Sequence, residues 1–354
     1  MILLETGLAG IHDDNDSDLD FPADYDGAEG AVFLEDLLQL IECEDEFGEE
    51  EPEVYSSYSR FANDEDILLW GLSALCNSQL GRILAFDARH DDWALEVDDI
   101  ETGRPIIDPQ LRILILPRTA PSAAALSRSP DAKGEFLVNL VRGLRMIWHE
   151  NTDVPHTAFD LEANDRIKWE RLRAADFDLM TLLVAWEASQ AGAGEFWRYL
   201  IGSSEFGDLA VPLARVAGRN PEIVENRSIL TPLAMRWLSD PARLQDIDHR
   251  TIDGMDRILK AGPAERPFGA RRLTEDDLLN LSLLPEEICY LESAAALILE
   301  DPHYTRIPDP INEAFLVQVL QEATTTRIHQ VAFHDQGLAR KIFPTAFQGA
   351  DLPD

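Results

Sequence analysis

Leu140-Val141-Arg142-Gly143-Leu144-Arg145-Met146 stands at the centre of the stretch Asp108–Glu150, and the order of elements around it decides the fold. Asp108-Pro109-Gln110 has turn chemistry: proline fixes φ, and the aspartate before it can bond the backbone that follows. Leu111–Leu116 is a short apolar run and predicts a buried strand. A loop, Ser122–Ser129, then crosses to an amphipathic helix predicted over Gly134–His149. On that helix Leu137, Leu140, Val141, Leu144 and Trp148 share one face by the 3.6-residue period, so that face belongs to the core. Arg142, Met146 and His149 fall together on the opposite side, with Arg145 at its edge.

Upstream, Asn63-Asp64 with Asp66 predicts a helix start, and Ile67, Leu68, Gly71, Leu72 and Leu75 continue it. Gly81 breaks the pattern before a short helix, Arg82–Arg89. Trp93–Val97 alternates apolar and polar residues as a half-buried strand does. With Ile106–Asp108 and Leu111–Leu116 it predicts a small antiparallel sheet packed on the central helix. Downstream come a loop (Asn151–Asp160), a long helical stretch (Leu161–Ala191) and shorter helices to Lys260. Ala261-Gly262-Pro263 and Arg266-Pro267-Phe268-Gly269 read as a linker, and Thr274-Glu275-Asp276-Asp277 as a helix cap. Periodicity at Leu291, Ala294, Ala295, Ile298 and at Phe315, Leu316, Val319, Leu320 makes the C-terminal region helical. The expected fold class is α+β, mostly helical, in three regions: 1–60, 61–260 and 261–354.

The 354 residues suffice for a large core, and the formal charge of -36 is unevenly spread. No Lys or Arg precedes Arg60, whereas Glu5, Asp13–Asp20, Glu42–Glu46 and Glu49-Glu50-Glu51 do. Residues 1–60 therefore read as an acidic, largely disordered arm, with one exception. Phe33, Leu34, Leu37, Leu38 and Ile41 have helical spacing, and predict a segment (31–41) that docks on its own domain or enters a partner's groove. Such charge repels nucleic acid and anionic membranes. No apolar run has membrane-spanning length, and Met1-Ile2-Leu3-Leu4-Glu5 lacks the basic end of a signal peptide. Cys43, Cys76 and Cys289, scattered and odd in number, read as reduced thiols; the expected setting is cytoplasmic.

The second long helix has its own apolar face: Leu172, Ala175, Leu179, Leu182, Leu183 and Trp186. Asp176 borders that face near Trp169 and Met180, where a carboxylate is poorly solvated and needs a cation. The candidates are Arg142 or Arg145 on the central helix, or Arg173 three residues back on its own.

The span from Leu72 to Gln190 resembles a bacterial family of metallopeptidase-like proteins of unknown function. The matching pieces are Gly81-Arg82, Trp93–Asp98, Ile107–Leu116, Leu140-Val141 with Leu144-Arg145, Ala175-Asp176 and Ala185-Trp186-Glu187. The resemblance implies a zincin-like core whose central helix carries His-Glu-x-x-His, the histidines binding zinc and the glutamate acting as general base. Here Arg142, Gly143 and Met146 stand at those three positions. Guanidinium has no lone pair to donate, thioether is a poor ligand for catalytic zinc, and glycine offers no carboxylate. The resemblance thus implies a degenerate site, with Arg142, Arg145, Met146, His149 and Asp176 as its remnants and an ion pair in the space of a metal.

His149-Glu150 with His156 invites a metal reading, but the spacing fits no familiar zinc pattern, and His149 suits a helix C-terminus. His329 and His334 are equally unspecific, and no serine or cysteine sits in a nucleophile's context. The expected function is non-catalytic protein binding without a cofactor, through the degenerate cleft or the Phe33–Ile41 segment. Its rivals are a zinc-dependent hydrolase with ligands from His149, Glu150, His156 and Asp176, and an anionic decoy for a nucleic-acid-binding protein.

Overall fold

The computed structural model describes residues 30–46, 60–154, 158–261 and 267–330. The first part of the chain order is β1 (Val32–Phe33), α1 (Leu34–Glu46), α2 (Asp64–Cys76), α3 (Gln79–His90), β2 (Ala94–Asp98), β3 (Ile106–Asp108) and β4 (Ile113–Pro117). Then follow α4 (Ala123–Leu126), α5 (Pro130–Asn151), α6 (Ala163–Gln190), α7 (Glu195–Gly202), α8 (Gly207–Ala217), α9 (Glu222–Glu225), α10 (Leu230–Trp237) and α11 (Pro241–Ala261). The last are α12 (Glu275–Leu281), α13 (Ala295–Glu300), α14 (Pro302–Thr305) and α15 (Pro310–Gln330). The fold is α+β and mostly helical. Among the described residues no helix is long and apolar enough to cross a membrane.

The sheet is mixed, not antiparallel as the strand pattern suggested. Its order is β1-β2-β4-β3, with β2 and β4 parallel at the centre (Leu95 opposite Leu114) and antiparallel pairs outside them. The reason is the route of the chain. After β2 it passes to the far edge, forms β3, and turns back at Asp108, whose Oδ1 accepts the Gln110 and Leu111 amides. β4 is thereby inserted between β3 and β2, running the same way as β2. Every residue of β4 is buried, as a strand covered on both faces requires. Leu114 and Leu116 join the main core, while Ile113 and Ile115 form a small cluster with Ala94 on the other face.

Local chemistry sets the helix ends. Asn63 caps α2 through the Asp66 amide, and Thr274 closes a capping box with Asp277 at α12. Ser129 caps α5 with Pro130 in its first turn, so this helix starts earlier than its apolar pattern indicates. The Ser122–Ser129 loop contains the single turn α4, capped by Ser122. Gly81 lies inside α3 and breaks nothing; the chain bends at Asn77-Ser78. A Cβ on Gly81 would stand 2.5 Å from the Leu75 carbonyl oxygen, so only glycine lets the two helices meet this closely. Glu187 of α6 holds the same corner, accepting from Ser78 Oγ at 2.7 Å, the Leu80 amide at 2.8 Å and Arg227 at 2.7 Å.

The described parts of 1–60 and of 261–354 pack on the rest of the chain. β1 pairs with β2, and Leu34, Leu37 and Leu38 of α1 are fully buried in the main core. Beyond residue 261, the Gly269 and Arg271 amides bond the Leu161 and Asp160 carbonyls, and the Glu162 amide bonds Arg271 in return. α15 packs on α11.

Candidate functional site

α5 is buried on more than one face. It lies between β4, α6, α3 and α7, so Gly143, Arg145, Met146, Ile147 and His149 are buried along with the predicted apolar stripe, while Trp148 is only half-buried. Arg142, Arg145, Met146, His149 and Asp176, expected at one site, consequently divide between two places.

Arg145, His149 and Asp176 meet in the core. Arg145 and Asp176 are both 0 % exposed. Arg145 Nε donates to Asp176 Oδ2 at 2.7 Å and Nη2 to Oδ1 at 3.1 Å. Nη2 also reaches the Leu281 and Leu283 carbonyls, each at 3.0 Å, and Tyr290 Oη donates to Asp176 Oδ1 at 2.8 Å. His149 Nε2 lies 3.1 Å from Asp176 Oδ2 but is poorly aligned for a hydrogen bond. Arg173, the same-helix candidate, pairs with Glu170. Burial alone would raise the Asp176 carboxyl; Arg145 and His149 outweigh it and hold the pKa at about 2. Burial, helped by Arg145, lowers His149 to about 4, so its ring is neutral at pH 7. Burial and the Asp176 charge push the Tyr290 hydroxyl well up. An ionised acid, a permanent cation and a neutral imidazole without solvent contact form a structural cluster.

Arg142 and Met146, one turn apart, face a cleft of ≈ 600 Å³ instead. α6 contributes Phe177 and Asp178 to it, α10 Trp237, α11 Asp246 and Arg250, and the β2–β3 loop Arg104. Arg142 donates through Nε and Nη2 to Asp178 Oδ1 (3.0 and 2.6 Å) and through Nη2 to Glu205. Trp237 Nε1 donates to the other Asp178 oxygen at 2.8 Å. Burial works against the Arg142 charge, but the Asp178 and Glu205 carboxylates prevail and raise its pKa. Arg243 is similarly held, by Asp208 and Asp240.

These residues do not fit zinc. Arg142 has no lone pair, and Gly143 points at the sheet: a Cβ there would stand 2.6 Å from both Leu114 methyl carbons. A glutamate in that position has no room against the buried Leu114 side chain. Among the described residues no group of three or more His, Cys, Asp or Glu side chains could hold a metal ion. In the alternative donor set, His149 is turned inward to Asp176, Glu150 is half-buried with its pKa raised by burial, and His156 lies outside the described residues.

The chain matches no family model, no curated protein and no solved structure. Geometry alone therefore speaks for the site. Of the segment expected to dock on its own domain or in a partner's groove, Leu34, Leu37 and Leu38 face the chain's own core and Ile41 is partly buried, while Phe33 belongs to β1 instead of the helix and is 56 % exposed. Asp178, Glu205, Trp237, Arg104, Arg250 and Tyr290 escaped the sequence reading. Asp178 carried a signal, since Asp176-Phe177-Asp178 puts two acids on different sides of one helix.

Proposed function

We propose that this chain is a degenerate metallopeptidase-like protein that does no chemistry at its central helix and binds a protein partner in the cleft beside Arg142 and Met146. The observation that carries this is the state of the cleft-facing turn of α5. Its arginine is bound by two carboxylates, its next member is a thioether, and a concavity of ≈ 600 Å³ opens beside them. That volume is in the range of about 300–1,000 Å³ usual for binding pockets, here with guanidinium groups among Phe177, Met146 and Trp237. Cys289, a free thiol, supports a reducing, cytoplasmic setting. The charge of -36 speaks against nucleic acid as the partner.

The test has two arms. Metal analysis of the purified chain should find less than stoichiometric metal, unchanged in His149→Ala; stoichiometric zinc lost in that variant overturns the proposal. A photocrosslinking residue at Thr102 or Ala242, both at the cleft, should join the same segment of one protein in cells, and one at exposed Leu111 should not. Equal capture from all three positions also overturns it.

A further inference from the structure

The cleft inverts the sign of the molecule. The chain has 30 basic and 66 acidic residues, yet seven arginines and five carboxylates line this one concavity. Low-dielectric concave walls concentrate such a field, so the local potential opposes that of the surface around it. Debye screening over about 8 Å at physiological salt keeps the distant acids from cancelling it.

The arginines are placed in a pattern. Arg243, Arg250 and Arg257 are seven residues apart on α11, so they share a face and step about 10.5 Å along the axis. Three residues of a chain in polyproline II form make one full turn and rise roughly 9 Å, close to the same step and on the same face. Between Arg250 and Arg257, Gly254 lines the cleft with open space where a side chain would stand. Thr102-Gly103-Arg104 brings a further guanidinium across from the β2–β3 loop, and Gly103 adopts the φ of +64° that this turn needs.

Two of these cations are under-compensated. Arg104 Nη2 donates to Asp246 Oδ2 at 3.2 Å, and Arg250 donates to the same oxygen at 3.2 and 3.0 Å. One carboxylate oxygen therefore serves two guanidinium groups, each with five N–H donors. Burial, then the Arg250 and Arg142 charges, lower the Arg104 pKa to about 10 against the opposing pull of Asp246 and Asp178. Among the described residues Arg257 pairs with an exposed neighbour, Asp253, at 3.2 Å. Behind them Phe177, Met146, Trp237 and Ile247 supply apolar wall.

We infer that the segment received by the cleft is an acidic peptide in extended form, its carboxylates on Arg104, Arg250 and Arg257 and its apolar side chains against Phe177 and Trp237. Carboxylate is favoured over phosphate because Asp246 and Asp253 already meet these arginines as carboxylates, and the cations are spread along a helix and a facing loop without converging on a point. This rests on the cleft being the partner site.

The experiment uses the full chain and a fluorescein-labelled nonapeptide of three Glu-Leu-Ser repeats, read by anisotropy. Binding should saturate, weaken tenfold or more for the Gln-Leu-Ser counterpart, and weaken tenfold or more in Arg104→Ala and in Arg250→Ala. These two side chains are 39 % and 42 % exposed, so unfolding temperature should not move, and Arg128→Ala outside the cleft should bind as the parent does. Equal binding of the two peptides, parent-like binding by both arginine variants, no binding up to millimolar peptide, or displacement by pyrophosphate at lower concentration than by free peptide would each overturn the inference. Crosslinks from Thr102 and Ala242 to a neutral or basic segment would overturn it while leaving partner binding intact.

Discussion

Replacing Asp176 by asparagine isolates the buried cluster with the loss of one charge and almost no volume. Arg145 would keep its two carbonyl partners, Leu281 and Leu283, but its guanidinium would remain in the core without an anion. The new amide would also turn an NH₂ group toward donors on Arg145 or Tyr290. Removing one partner of a buried ion pair costs about 3–5 kcal/mol, against a whole-domain stability of about 5–15 kcal/mol. The effect should appear in urea unfolding followed by tryptophan fluorescence, as a lower midpoint with an unchanged slope. Arg145→Met with Asp176→Leu should recover part of the loss, because both desolvation penalties go while the Tyr290 hydroxyl and the Leu281 and Leu283 carbonyls lose their partners. The reasoning is refuted if Asp176→Asn changes stability by less than about 1 kcal/mol, or if the two single losses simply add in the double variant.

Two further outcomes follow from the same helix. His149 has a folded pKa of about 4 against an ordinary value of 6.5, so the unfolded chain takes up its proton first as pH falls. Its contribution is fully favourable above pH 6.5 and declines by roughly 3 kcal/mol between pH 6.5 and 4. Asp176, with its pKa depressed to about 2, adds stability that is present above pH 3.8 and lost as pH falls through about 2, a separate window. His149→Gln should remove the slope between pH 6.5 and 4 when unfolding midpoints are compared with the parent; parallel profiles would refute the assignment. Gly143→Glu should destabilise by more than about 3 kcal/mol, combining overpacking against Leu114 with a buried carboxylate. A triple variant that also carries Arg142→His and Met146→His should therefore fail to take up stoichiometric zinc, and a folded, zinc-loaded product would contradict the packing argument.

Sequence periodicity located α5 and α6 well, because apolar residues every three or four positions leave few other ways to bury a helix. The Arg145–Asp176 pair was legible for a related reason: a carboxylate bordering an apolar face must find a cation, and only three were in reach. Which of them won depended on rotation. Asp176 and Asp178 point to different sides of α6, so Arg145 met the first and Arg142 the second. The parallel pairing of β2 with β4 had no local sign, since each strand alone looks the same in either direction. Arg104 and Arg250 were equally invisible, being far apart in sequence and brought together by the β2–β3 crossover loop and a helix face. Leu34, Leu37 and Leu38 displayed their helical spacing openly, and only the fold could tell whether their surroundings were a partner or the same chain.

The short strand β1 has a meaning larger than its two residues. It occupies the outer backbone edge of β2, with Val32 opposite Leu95 and Phe33 opposite Ala94, and α1 follows it directly into the core. A protein trimmed at Arg60, where composition changes, would carry a bare strand and an emptied hydrophobic slot. Open edges of this kind template self-association. Shedding the acidic stretch by a cut at Arg60 thus also removes the stopper of the sheet, whereas a cut ahead of Gly30 leaves β1 and α1 in place.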